Sequence, residues 1–278
     1  MGSVTIVIPC RNDGKFLQGA VDSALAQTHG DLEIIIVDDG SDDVATLRLL
    51  GALQEQGLTV LRGEGRGPAA ARNMAIAMAR GDYVLPLDAD DWLAPEYAEK
   101  ASKILDANPM VGVCYCDVQN FGLKRGKLQF APYSQERLLL GEVLITVSSM
   151  FRKVDWVAVG GFDEVLPGLE DYDFWISLAE RGVDFFKIGE TLFFCRVRGG
   201  SRTARMFMEG KERDSLLYIF KKHRKIYEQY GEAVFLRYLD LNAERHQREC
   251  LFLWRFLSIM LNVERRARFL IKRLLKRC

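Results

Sequence analysis

The sequence lacks most of the features that mark a specialised class of protein. Its six cysteines, Cys10, Cys114, Cys116, Cys195, Cys250 and Cys278, form no CxxC pair and no regular spacing, which excludes a secreted disulfide framework. Three histidines, His29, His223 and His246, are too scattered for a zinc site. No apolar run reaches the roughly 18 to 20 residues that span a bilayer; Cys250 to Leu261 comes nearest and contains Arg255. Met1 leads straight into a strand-like run, without the basic start and apolar stretch of a secretory leader. Together these absences predict a reducing, cytoplasmic setting. There is no internal repeat and no low-complexity segment. With 38 basic and 38 acidic residues there is also no net charge to point to a partner.

What remains is ordinary globular composition: 278 residues, 49% apolar and 27% charged, enough to build a sizeable core. The charge is unevenly spread. Residues 205–278 carry 18 Lys/Arg against 9 Asp/Glu, a net +9, which leaves 20 against 29 and a net −9 for residues 1–204. An acidic body over 1–204 is therefore expected to precede a basic extension over 205–278.

In the body, Val4 to Ile8 and Leu32 to Val37 are β-branched runs without alternation, as buried parallel strands are. Helical spacing follows each, over Lys15 to Gln27 and Asp43 to Gln56. Strands near Leu58 to Leu61, Tyr83 to Leu87 and Val111 to Tyr115 alternate with helices over Pro68 to Ala79 and Pro95 to Ala107. That rhythm predicts an α/β half with a largely parallel sheet. Beyond Asp117 it loosens: a hairpin or loop over Gly122 to Pro132, a strand over Thr146 to Arg152, and a turn at Gly160 to Glu164. A helix from Asp171 to Arg181 and strands at Phe185 to Ile188 and Leu192 to Val197 follow. From Met206 onward nearly everything reads as helix.

Open α/β sheets bind ligands outside the carboxyl ends of their strands, so the residues that close each apolar run matter most. Asp38-Asp39 closes the second run and Asp88-Ala89-Asp90-Asp91 the fourth. In an extended segment Asp88 and Asp90 point to one side, and two such carboxylates call for a hard divalent cation between them. Turn and cap chemistry is the plainer explanation of a single Asp, but it needs one acid per helix rather than two or three. A third cluster, Glu170-Asp171-Tyr172-Asp173, opens a helix, where the dipole favours acids; Asp171 there suits either that role or a general base.

These residues converge on a family. Val4 to Pro9 with Asn12, Gln27-Thr28, Val37 to Ser41, Gly67 to Asn73, Gly81-Asp82-Tyr83, Leu87 to Asp91, Gly161-Phe162-Asp163 and Glu170-Asp171 resemble, in order, the motifs of family 2 glycosyltransferases. The resemblance covers about residues 3 to 203. It implies a GT-A fold, a Rossmann-like mixed and mainly parallel sheet flanked by helices, here with a C-terminal helical extension. It implies a hexosyltransferase that inverts the anomeric centre of a nucleotide sugar, with UDP the first choice of nucleotide. Pro9 and Arg11 would lie along the nucleoside, and Asp39, supported by Asp38, would bind the base. Arg72 would lie beside the diphosphate. Asp88-Ala89-Asp90 matches the DxD motif, with Asp90 the direct ligand of Mn²⁺ or Mg²⁺ and Asp88 at the ribose or metal shell. Asp171 matches the catalytic base.

Two departures stand out. Arg11 replaces a common aromatic in the first loop, and Arg198 stands where relatives often carry a His; a guanidinium there cannot ligate a metal but can clamp a diphosphate. No Gln-x-x-Arg-Trp motif follows Asp171, which argues for one sugar per binding event. A dinucleotide loop at Gly63, Gly65 and Gly67 is excluded by its spacing, and a hydrolase pair would leave Asp39 unexplained. A non-catalytic relative that binds nucleotide sugar or glycan in a membrane-associated polysaccharide assembly is the alternative. Residues 250–278 have the pattern of a basic amphipathic helix suited to an anionic membrane surface, with packing on the body or on a second copy as the competing explanation. The expected partners are thus a nucleotide-sugar donor, a glycan or lipid-linked acceptor of cell-envelope type and the inner face of the membrane. Homo-oligomers are left open, and nucleic acid is not expected.

Overall fold

The computed structural model describes residues 1–142, 145–200, 202, 206 and 208–243. The membrane-surface helix expected over 250–278 lies outside them.

The first two apolar runs form β1 (Val4–Cys10) and β2 (Leu32–Asp38), parallel and in register from Val4 beside Leu32 to Cys10 beside Asp38. β3 (Thr59–Arg62) joins the outer side of β2, and β4 (Tyr83–Pro86) joins the far side of β1, both parallel. Their crossovers are α1 (Gly14–Leu25), α2 (Val44–Glu55) and α3 (Pro68–Met78). Helical spacing of Leu17, Ala20, Val21 and Ala24 buries one face of α1 against Ile6 and Ile8 of β1. Asp43 starts α2 by accepting from the Thr46 amide at 2.8 Å. Tight entry into β4 needs Gly81, because a Cβ there would stand 2.6 Å from the Thr5 nitrogen.

The second half comprises β5 (Trp92–Leu93), α4 (Tyr97–Ala107), β6 (Val111–Gly122), β7 (Gly126–Leu128), α5 (Gln135–Leu139), β8 (Met150–Arg152), α6 (Lys153–Val159), α7 (Glu170–Glu180) and β9 (Asp184–Val197). The sheet runs β3-β2-β1-β4-β8-β6-β9-β5, with β7 on β6. β8 lies antiparallel between β4 and β6, so β6 and its neighbour β9 point the same way as the first four strands. The mixed, mainly parallel sheet is as the sequence predicts. Three details differ. The strand expected from Thr146 shrinks to Met150–Arg152, since Ser149 Oγ bonds the Thr146 carbonyl and turns the chain before it. The two expected last strands are one 14-residue strand that passes Gly189 and Glu190 at a break in its register with β6. The two-residue β5, too short for any sequence pattern, pairs antiparallel with Phe193 and Phe194.

Met1–Gln229 forms one compact unit and Tyr230–Cys278 a second, whose described part is helical over 231–243. The first unit thus includes α8 (Lys211–Lys222) and α9 (Arg224–Gln229), fastened to α7 at their junction. Buried His223 donates from its two ring nitrogens to Asp173 at 3.0 Å and Glu180 at 2.9 Å, and Lys222 reaches Asp173 and Asp163 at 2.8 and 2.7 Å. Burial alone would lower the imidazole's pKa, but the bonds to Asp173 and Glu180 outweigh it and hold the value above 6.5. A raised histidine stabilises the fold fully below its unfolded pKa and loses that effect as pH climbs through the folded value. His223→Gln is therefore expected to lose about 1–3 kcal/mol near pH 6 and less at about pH 9.5. Paired denaturation curves at the two pH values check this, and an equal loss at both would contradict it.

Candidate active site

The sheet winds from β1 toward β2 on one side and toward β4 on the other, so the carboxyl ends of these strands border a crevice. The register brings their closing residues level: Pro9 beside Val37, Cys10 beside Asp38, and Val7 beside Pro86, two residues before Asp88. A cleft of about 570 Å³ opens there. Of the residues singled out from sequence, Pro9, Arg11, Asp39, Arg72, Asp88, Asp90 and Arg198 line it. Asp38 and Asp171 do not. Asp38 is buried behind the wall and accepts from the Ser41 amide at 2.9 Å, which fixes the turn that presents Asp39. Asp39 in turn accepts from the Gly67 amide at 2.8 Å, joining the end of β2 to the start of α3. Gly67 holds φ near 100°, a conformation that glycine adopts without strain. Arg11 donates to the Gly65 carbonyl across the same edge, at 3.3 Å.

The buried guanidinium of Arg72 reaches Asp88 at 2.5 Å with one nitrogen and Glu170 Oε1 at 2.8 Å with another. Arg202 also donates to Glu170 Oε1. Glu170 opens α7, and its neighbour Asp171 is half-buried beside this pair, its carboxylate taking the Tyr172 amide at 2.9 Å. Burial, then the Glu170 charge, raise the Asp171 carboxyl to about 6 against the pull of Arg72. Asp90 is likewise pushed up to about 6, by burial and by the Asp88 charge, with Arg198 opposing. Burial and the Asp88 charge also raise Asp91 well above the usual carboxylate range.

Three carboxylates at one strand end are a site short of positive charge. Among the described residues no three His, Cys, Asp or Glu side chains are arranged to hold a metal by themselves. Asp88 and Asp90 nevertheless suit a hard cation that completes its shell with phosphate oxygens and water. The donor set fits an ion shared with a diphosphate.

Residues 5–150 match the sequence profile of Glycosyl transferase family 2. The chain belongs to that family. An uncharacterized glycosyltransferase of Haemophilus influenzae is 30% identical over 201 residues, covering 69% of this chain and 67% of its own length. A chondroitin synthase of Escherichia coli is 31% identical over 208 residues, covering 72% of this chain; this chain spans only 30% of that synthase. Among solved structures, TarS 1-349 of S. aureus in complex with UDP-GlcNAc superposes with a TM-score of 0.62 at 19% identity, over 73% of this chain and 60% of that one. A mannosyltransferase from Pyrobaculum calidifontis, in complex with GDP-Man and Mn²⁺, gives 0.62 at 19% identity, over 82% and 69%. This family 2 glycosyltransferase has the GT-A fold.

Some residues of the glycosyltransferase's cleft carry no motif signal. Asp13 and Arg196 both line it. The Arg196 amide donates to Asp91 at 2.6 Å and its Nε to the Asp90 carbonyl at 3.0 Å, while its guanidinium lies against the rings of Phe16 and Phe121, each 4.4 Å away. The short β5 brings this loop to the acidic motif, a pairing 100 residues apart that no local pattern encodes. Asp13 stands just before α1 and belongs to no motif. Asn73, by contrast, belongs to a recognised motif and serves the structure. Its side-chain amide bonds both the amide and the carbonyl of Phe162, tying α3 to the turn before α7.

Replacing Arg72 by Met leaves Asp88 and Glu170 without their shared cation. A loss of about 3–5 kcal/mol in unfolding free energy by urea titration is expected, because breaking a buried pair strands the remaining charges. A loss below about 1 kcal/mol would mean that Arg202 and solvent suffice.

Proposed function

We propose that this glycosyltransferase moves a hexosyl group from a nucleotide-sugar donor, with UDP the preferred carrier, to a hydroxyl of a glycan or lipid-linked acceptor, inverting the anomeric centre. The observation that carries this reading is the meeting, in one cleft at the sheet's switch point, of Pro9, Arg11 and Asp39 with the Asp88-Ala89-Asp90 motif. The nucleoside lies along Pro9 and Arg11, with Asp39 accepting from the base and Asp38 stiffening the turn beneath it. Asp90 would be the direct metal ligand, with Asp88 at the ribose or the metal shell. A divalent cation, Mn²⁺ or Mg²⁺, when bound offsets the charge that develops on the departing diphosphate. Arg72 and Arg198 add positive charge at the same end of the donor, each held nearby by carboxylate partners before the donor binds.

Asp171 accepts the proton of the attacking hydroxyl. The new bond forms between that oxygen and the anomeric carbon as the bond to the diphosphate breaks on the opposite face, so one displacement inverts the centre. A carboxylate with a pKa near 6 is a better base than an ordinary aspartate and is still ionised at neutral pH. The transferase part of the chain is taken as residues 1–204, whose elements build the cleft, and 205–278 as a basic extension whose α8 and α9 belong to the same compact unit.

Titration with UDP and other nucleoside diphosphates, with and without Mn²⁺, tests the donor site: one nucleotide should bind in a metal-dependent way, and Asp90→Ala should abolish that dependence. Asp171→Asn should keep the nucleotide affinity but lower kcat by about 10²–10⁴-fold. Wild-type kcat should fall as pH drops through about 6, where the base takes up its proton. Nucleotide binding without turnover of any sugar would instead mark a non-catalytic binding protein.

The same reading puts the enzyme in the cytoplasm, peripheral on the inner face of the membrane, in cell-envelope polysaccharide synthesis. No helix among the described residues is long and apolar enough to cross a membrane. The basic residues of 250–278 supply the surface contact. Deleting 262–278 should abolish binding to anionic liposomes; unchanged binding would end the idea.

A further inference from the structure

Asp13 occupies the N-cap position of α1, where an aspartate usually accepts from the first amides of the helix. Here its side chain makes no capping hydrogen bond. Both carboxylate oxygens instead take the Arg198 guanidinium in a two-pronged pair, the Oδ2 contact at 2.8 Å. The Nε of the same guanidinium lies 2.8 Å from Asp90 Oδ2. One side chain from the loop after β9 is thus held between the start of α1 and the acidic motif.

The other acids of that motif are engaged differently. Asp88 is taken by Arg72, which is buried in α3, and Asp91 by the Arg196 amide. Asp90 alone of the three pairs with a side chain from a loop, and Gly199 and Gly200, the latter at φ 70°, follow Arg198 directly. Those glycines give the backbone freedom to release the arginine. A divalent cation that binds Asp90 meets the Arg198 guanidinium at the same carboxylate, where the two positive groups repel.

We propose that Asp13 is a positioning residue that holds Arg198 on Asp90 as its resident counter-cation, and that the donor's metal takes Asp90 by displacing the guanidinium toward the diphosphate. The proposal rests on the donor-site reading above. It accounts for an arginine beside a metal motif: the positive charge that keeps the carboxylates together without donor becomes a second clamp on the phosphates once the metal arrives. It also accounts for an N-cap aspartate that forgoes its cap.

The test is titration of the full chain with Mn²⁺ alone, then with UDP and GDP in saturating Mn²⁺ and in EDTA, for wild type, Asp13→Asn and Arg198→Gln. Displacement predicts opposite signs. In Arg198→Gln, Mn²⁺ alone should bind roughly five- to tenfold tighter, since its competitor is gone, while the nucleotide binds more weakly. Asp13→Asn, which keeps size and capping ability, should tighten Mn²⁺ by a smaller factor. A merely structural bridge would weaken both ligands and lower the melting temperature, and that result overturns the proposal. So does nucleotide binding indifferent to EDTA, which would make Arg198 the permanent cation of Asp90. Unchanged Mn²⁺ affinity in both variants, against a wild type that binds Mn²⁺ and nucleotide together, overturns the displacement alone. A wild type that binds neither overturns the donor site as well.

Discussion

Arg72 carries a full charge where there is almost no solvent, and it is tolerable there because Asp88 and Glu170 share it. Burial works against that charge, and the two carboxylates outweigh it. The consequence is geometric. Three elements must arrive together, α3, the end of β4 and the start of α7, although Arg72 and Glu170 are 98 residues apart in the chain. Without that convergence Asp88 would lose its anchor and Asp171 would not be held close to Arg72. The Asn73 bonds to Phe162 repeat the fastening at the next residue of α3.

Around that anchor the site is an exercise in charge balance. Asp88, Asp90 and Asp91 crowd one strand end, and burial, then the Asp88 charge, raise the pKa of both Asp90 and Asp91. The protein answers with cations from distant segments: Arg72 from α3, and Arg196 and Arg198 from the end of β9 and the loop beyond it. Under the function proposed above, a cleft so arranged sets its charges in place before a donor arrives. The clasp of His223 and Lys222 on Asp173 serves the same helix from its outer side, so both sides of α7 are pinned by ion pairs.

The parallel half was legible because buried parallel strands and their crossover helices leave long periodic signals: β1, β2 and β4 with α1, α2 and α3 fall within a few residues of the runs that predict them. The motif residues were legible too, since Pro9, Arg11, Asp39, Arg72, Asp88, Asp90 and Arg198 do meet in one cleft. Elements made by pairing rather than pattern were not. β5 has two residues and exists because Phe193 and Phe194 offer it an edge, and β9 is continuous because β6 runs beside it. Asp13 and Arg196 went unmarked in the sequence for the same reason.

By itself the sequence determined the winding of the sheet, the ends at which its acids would lie and the family whose motifs they match. Those are local matters: hydrophobic period, turn residues and the spacing of carboxylates along one strand. Tertiary structure alone decided which charge answers which, sending Asp13 to Arg198 rather than to its own helix and Glu170 to Arg72 and Arg202. The physical reason is that an ion pair is chosen by distance and desolvation in the folded chain, and neither is written in the order of residues.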